Sequence, residues 1–170
     1  RLLDFADLTV DGSLATGGAV AVMLIRGGVH PALALVFAFL AGMLAGLATG
    51  LLHTLLGIPG ILAGILTHIS LYSINLGIMG KANQGINVDQ YPLVASLRYV
   101  TGDMTTRVMF FAGLILGCLI LIGILYWFFG TELGGAIRTT GCNPNMSRAQ
   151  GISTNFMKVL ALMLSNGLVG

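Results

Sequence analysis

The sequence predicts an all-α fold, a polytopic bundle of helices crossing a lipid bilayer, and three observations predict it. Only 8% of the 170 residues are charged, while 56% are apolar. A soluble domain carries about 25% charged residues to keep its surface wet, and this chain has far too few. Mean hydropathy is +0.94, and 25 glycines suit membrane helices, in which Gly is commoner than in soluble ones. Finally, the apolar residues come in runs of roughly 20, the length that spans a bilayer core.

Four full segments and one partial segment follow in order. The first covers residues 13–29 and is short for a span. The second covers 31–52, and the third 58–79, with Pro59 near its first turn, where a missing N–H costs little. The fourth, 105–129, is the longest, and Tyr126 and Trp127 mark its end as residues that favour the membrane interface. The fifth begins at 155 and still runs at Gly170. With Arg1 in first place, this predicts a single transmembrane domain over 1–170, cut at both ends. Two polar connections stand out, 80–104 with Lys81, Asp89, Arg98 and Asp103, and 130–154 with Glu132, Arg138 and Arg148. The other connections are tight turns, which predict antiparallel neighbours.

Charge leaves the orientation open. Arg26, Lys81, Arg98 and Arg107 fall on one side, and Arg1, Arg138, Arg148 and Lys158 on the other, so the positive-inside rule is tied. The net charge of +2 is spread along the chain, so no nucleic-acid footprint is indicated. Cys118 lies in an apolar run and Cys142 in a polar loop, a placement that predicts two free thiols.

Ala38, Gly42, Gly46 and Gly50 recur every fourth residue, and Gly60/Gly64 and Gly113/Gly117 repeat that spacing. Lipid provides no hydrophobic drive between helices, so association relies on close backbone approach over small residues. The pattern predicts packing seams. In the third segment His68, Tyr72, Asn75 and Met79 form one stripe, with Thr67, Ser70 and Ser73 beside it. Such groups are expensive against lipid, so they face the bundle, as helix-to-helix hydrogen bonds or as the wall of a permeation route. The stretch from Asp4 to Ser13 holds Asp4, Asp7, Thr9 and Asp11 before a Gly-Ser break. It reads either as a wet loop capping the first helix at Asp11 or Ser13, or as irregular backbone entering the bundle. The residues themselves favour the wet loop.

In the second polar connection, Thr131 caps a short helix with Glu132 in its first turn. Leu133, Ala136, Ile137 and Thr140 form one face, Glu132, Arg138 and Thr139 turn to water, and Gly141 stops the helix. Asn143-Pro144 then turns the chain, and Asn145 caps a second short helix ending at Gly151. Two small helices on the water side make a docking knob for a soluble partner.

The residues Gly130-Thr131-Glu132-Leu133-Gly134, Ala136-Ile137-Arg138-Thr139-Thr140-Gly141, Asn143-Pro144 and Ala149-Gln150-Gly151-Ile152 resemble the coupling loop of bacterial ABC importer permeases of the branched-chain amino acid and ribose type. Asp7-Leu8-Thr9-Val10-Asp11-Gly12-Ser13, His53-Thr54 and Leu71-Tyr72-Ser73-Ile74-Asn75-Leu76 look closest to permeases assigned to tryptophan or tyrosine. Gly135 stands where that family usually has a larger apolar residue, and Cys142 where an acid is common.

The resemblance implies a type II-like importer permease in the bacterial cell membrane. It would pair as a homodimer, receive solute from an extracytoplasmic binding protein, and dock a cytoplasmic ABC ATPase. The docking loop would be 131–152, which puts that loop in the cytoplasm, with Glu132, Leu133, Gly134, Ile137, Arg138, Gly141, Asn143, Ala149 and Gly151 as its coupling residues. Asp7, Thr9, Asp11, Ser13, His68, Tyr72 and Asn75 would line the translocation path.

Other function classes fit less well. No nucleotide-binding Gly-x-x-x-x-Gly-Lys-Ser/Thr loop is present; Gly80-Lys81 is followed by Ala82. ATP would be handled by another chain. A secondary transporter or channel is the alternative, but the spans beyond Ser13 contain no Asp or Glu for ion coupling. An enzyme would need a nucleophile with a base, and Ser70 sits on a different helix face from His68. Neither His53 nor His68 has a second metal ligand at helical spacing. The expectation is a transport subunit with no catalytic residues, metal or cofactor.

Overall fold

The computed structural model describes residues 7–81 and 104–170. The expectations on Asp4, Asp89, Arg98 and Asp103 lie outside these. Every regular element among the described residues is a helix: α1 (Val10–Arg26), α2 (Pro31–Leu55), α3 (Gly60–Met79), α4 (Met104–Gly130), α5 (Glu132–Cys142), α6 (Pro144–Ala149) and α7 (Thr154–Val169). α2, α3 and most of α4 are long and apolar enough to cross a membrane; α1 and α7, at 17 and 16 residues, are shorter.

The turns explain the boundaries. α1 ends three residues earlier than its apolar run because Gly28 takes a left-handed conformation, φ +84°. The Val29 N–H then bonds the Leu24 carbonyl, and the Gly28 N–H bonds that of Ile25, which satisfies two orphan carbonyls of the last turn. α2 starts at Pro31 with the His30 Nδ1 accepting the Ala32 N–H at 3.3 Å. It ends beside a second left-handed glycine, Gly57, where the His53 Nδ1 meets the Ile58 carbonyl at 2.8 Å. A carbonyl only accepts, so this nitrogen carries the proton.

α2 is the central helix, packing on α1, α3 and α7. Its seam is the one the small residues predict. A Cβ on Gly42 or Gly46 would collide with the carbonyls of Asn166 and Leu162, and one on Gly50 would sit 3.1 Å from the Cα of Val159. The order of these pairs makes α7 antiparallel to α2. α1 runs parallel to α3, with Gly64 against Leu8 and Gly12 against His68 and Leu71. The seam predicted for Gly113 and Gly117 is not formed: both face open space. Among the described elements α4 packs only on α5, so its small residues have no helix to meet. Cys118 and Cys142 are free and exposed.

Candidate functional site

Two regions carry polar chemistry. The first is the backbone leading into α1. Thr9 lies opposite Thr49, their hydroxyls 2.7 Å apart, and both are fully buried. Thr49 is six residues before the end of α2, which at about 1.5 Å per residue puts Thr9 roughly 9 Å inside the helix layer. Leu8 lies against Gly64, whose added Cβ would be 3.0 Å from the Leu8 nitrogen. The wet capping loop is therefore corrected: the chain is non-helical at depth here, with Asp7 half-buried, Leu8 exposed on one side and Thr9 fully buried against α2, and irregular backbone at membrane depth needs such protein cover. The short α1 begins inside the layer instead of at its edge. The caps change with it. The N-cap is Thr9, and Asp11 and Ser13 lie inside the helix. Asp11 is exposed in the positive first turn. Ser13, fully buried, donates back to the Val10 carbonyl.

Asp7 organises this break. Its Oδ1 accepts the Thr9 N–H at 2.9 Å, and its Oδ2 accepts Asn166 Nδ2 at 2.6 Å. Asn166 Nδ2 also donates to the Leu162 carbonyl at 3.0 Å, which fixes the amide on α7. Since Thr49 donates its single hydroxyl proton to the Ala45 carbonyl at 3.3 Å, the Thr9 hydroxyl donates to Thr49. Asn166 and Thr49 are site residues that the sequence reading did not single out. Their signal was a polar side chain within an apolar run, Thr49 alone and Asn166 next to Ser165.

The predicted stripe on α3 divides. Its buried face is Ala63, Gly64, Thr67, Leu71 and Asn75. His68 is half-buried at the edge of that face, and Tyr72 is 63% exposed on the outside. Tyr72 is therefore not gathered with the other polar residues in this chain. Thr67 satisfies itself on the Ala63 carbonyl. The His68 Nδ1 and the Asn75 Oδ1 are buried without a hydrogen-bond partner, a costly state unless water or a solute reaches them.

The second region is the loop 131–152. Thr131 caps α5 as expected, accepting the Gly134 N–H at 3.4 Å and donating to the Phe128 carbonyl at 2.6 Å. The predicted stop at Gly141 and cap at Asn145 are corrected. α5 continues to Cys142, and Asn143 begins α6, its Oδ1 accepting from Asn145 N and Met146 N at 3.1 Å. Pro144 at the first helical position favours that register. α6 ends at Ala149, and left-handed Gly151 closes it, with Ile152 N bonding the Ser147 carbonyl. Asn143→Ala should therefore destabilise α6 by about 1 kcal/mol, measured as faster amide exchange over 144–149.

The α5 face also differs. Ile137 and Thr140 point inward as predicted, at 1% and 2% exposure, but Leu133 is 47% exposed. Gly134 takes the inward place because the Phe128–Phe129 backbone passes so close that any Cβ would collide. Glu132, Arg138, Asn143, Ala149 and Gly151 are exposed, Gly141 is half-buried, and Met146 adds an exposed apolar side chain. The loop is tied to the bundle where Arg148 Nε donates to the buried Thr154 Oγ1 at 2.9 Å.

Residues 2–170 match the family described as branched-chain amino acid transport system / permease component. The chain belongs to this permease family. Among curated proteins it is 37% identical over 169 residues to a tyrosine transport system permease protein of Clostridioides difficile (strain R20291), a match covering 99% of this chain and 54% of that protein. It is 32% identical over 168 residues to an uncharacterized protein of Rickettsia prowazekii (strain Madrid E), covering 99% and 56%. The chain thus spans about half the length of the curated relatives it matches. No solved structure matches it to significance. Permease membership agrees with the apolar helices and makes this a multi-pass protein of the cell membrane.

Proposed function

We propose that the chain is the core of the membrane subunit of an ATP-driven importer, and that the loop 131–152 receives the ATPase. The observation that carries this reading is the loop itself. Two capped helices expose Leu133 and Met146 to water, while Ile137, Thr140 and the Arg148–Thr154 bond anchor the elbow to α4 and α7. A rigid knob with an apolar tip is what a lever between two proteins needs. On this reading the loop is cytoplasmic, hydrolysis belongs to a partner chain, and this subunit performs no catalysis. An extracytoplasmic protein delivers the solute, and two permeases pair around the path.

The solute is an aromatic amino acid, tyrosine or a close analogue such as tryptophan, by similarity to the clostridial relative. The break around Asp7, Thr9, Asp11 and Ser13 and the orphan groups of His68 and Asn75 border its route. Buried polar atoms with no partner support this placement, because a polar solute or its water would satisfy them.

The full-length permease with its ATPase in proteoliposomes should take up tyrosine only when ATP is present. Uptake driven by a proton or sodium gradient without ATP would replace this reading with the ion-coupled alternative. Asp7, a carboxylate at helix depth, is the feature that favours that alternative.

A further inference from the structure

We propose that a cavity beside Asp7 is a binding site for an ammonium group carried on an aromatic body. The cavity, about 850 Å³, opens between α4 and the α2–α7 pair, and its lining includes Asp7, Phe39, Ile124, Trp127, Phe128 and Leu168. Its volume falls within the roughly 300–1,000 Å³ of small-molecule sites. Asp7 is the charged residue in an otherwise largely apolar wall.

The carboxylate is held in place. Thr9 N–H takes Oδ1 and Asn166 Nδ2 takes Oδ2, and Asn166 is itself fixed by its bond to the Leu162 carbonyl. A carboxylate has about four acceptor directions, so roughly half remain free. A carboxylate at this depth is expensive unless further donors or a positive charge reach it. A lipid acyl chain would fill the cavity but bring neither. An ammonium brings three donors and the opposite charge. The rings of Phe39, Trp127 and Phe128 offer edges and faces to an aromatic body. Charge complementarity and ring lining together therefore select an arylalkyl ammonium. That this ligand is the transported solute rests on the permease reading; the binding site does not.

The test uses the full-length protein in lipid nanodiscs and three probes that share a 4-alkylphenol body: tyramine, 3-(4-hydroxyphenyl)propionate and 4-ethylphenol. Tyramine should bind at least about tenfold tighter than either of the others, as a charge-assisted hydrogen bond implies. Asp7→Asn should bring tyramine down to the level of 4-ethylphenol. Trp127→Leu, at an exposed position, should weaken tyramine and 4-ethylphenol alike. Equal binding of the three probes would mark a lipid slot and overturn the site, and this arm needs no variant. Tyrosine uptake unchanged in Asp7→Asn would overturn the site as the solute's and leave the ATP-driven permease standing. Uptake independent of ATP in the wild type would remove the ATP-driven reading and leave the tyramine result intact.

Discussion

Replacing Gly46 by leucine is expected to abolish assembly of the bundle. A Cβ at this position would occupy the same space as the Leu162 carbonyl, so the obstacle is backbone and cannot swing aside as a side chain could. α2 and α7 would have to separate along their whole contact, since Gly42 and Gly50 meet Asn166 and Val159 on the same face. In lipid, close packing is the main force joining helices, and nothing compensates when it is lost. Separation would also carry Asn166 away from Asp7, leaving a carboxylate at depth without its 2.6 Å donor. Overpacking alone costs about 1–3 kcal/mol or more, and the stranded polar groups add to it. The expected result is loss of monodisperse protein in detergent, or a large fall in Tm where any folds. Gly18→Ala is the comparison: Gly18 is helical and nothing lies within 4 Å of its added Cβ. There the change should stabilise by about 0.5–1 kcal/mol. Equal behaviour of the two variants would mean that the α2–α7 seam is not what holds the bundle together.

That seam was legible in the sequence because small residues every fourth position let two backbones approach, although Gly113 and Gly117 share the spacing and meet no described helix. The helices were legible for a similar reason: run length and the bilayer thickness fix each other. What escaped the sequence depended on distant partners. Asp11 and Ser13 look like caps locally, yet Thr9 and Leu8 are drawn inward by Thr49 and Gly64, and the helix starts earlier as a result. Asn166 has its partner 159 positions away, beyond the reach of any periodic pattern. On α3, polarity identified the right helix but not its phase. The buried line runs through Thr67, Leu71 and Asn75, and an apolar Leu71 interrupts it, so a stripe drawn through polar residues alone carried Tyr72 to the outside. Asn143 differs from these cases. Pro144 cannot precede the helix it begins, so the cap before it could have been read without any structure.

Charging Leu133 should disconnect ATP hydrolysis from transport while leaving the membrane bundle intact. Leu133 is 47% exposed and Ile137 only 1%, so two residues that sequence pattern places on one face have different roles. Ile137→Glu would bury a carboxylate against the cavity wall and disturb folding, which makes it useless as a probe of docking. Leu133→Glu puts the charge in water when the subunit is alone and inside the contact when the ATPase is bound. Desolvating an unpaired carboxylate there costs on the order of 2 kcal/mol or more, enough to lower solute-stimulated ATP hydrolysis at least about tenfold. Met146→Glu, on the neighbouring short helix and 59% exposed, should act in the same direction if both helices meet the partner. Thermal stability of the isolated permease should not change in either variant. If stimulated hydrolysis survives both substitutions at the wild-type rate, the elbow at 131–152 is not where the motor pushes, and its exposed apolar side chains serve some other contact.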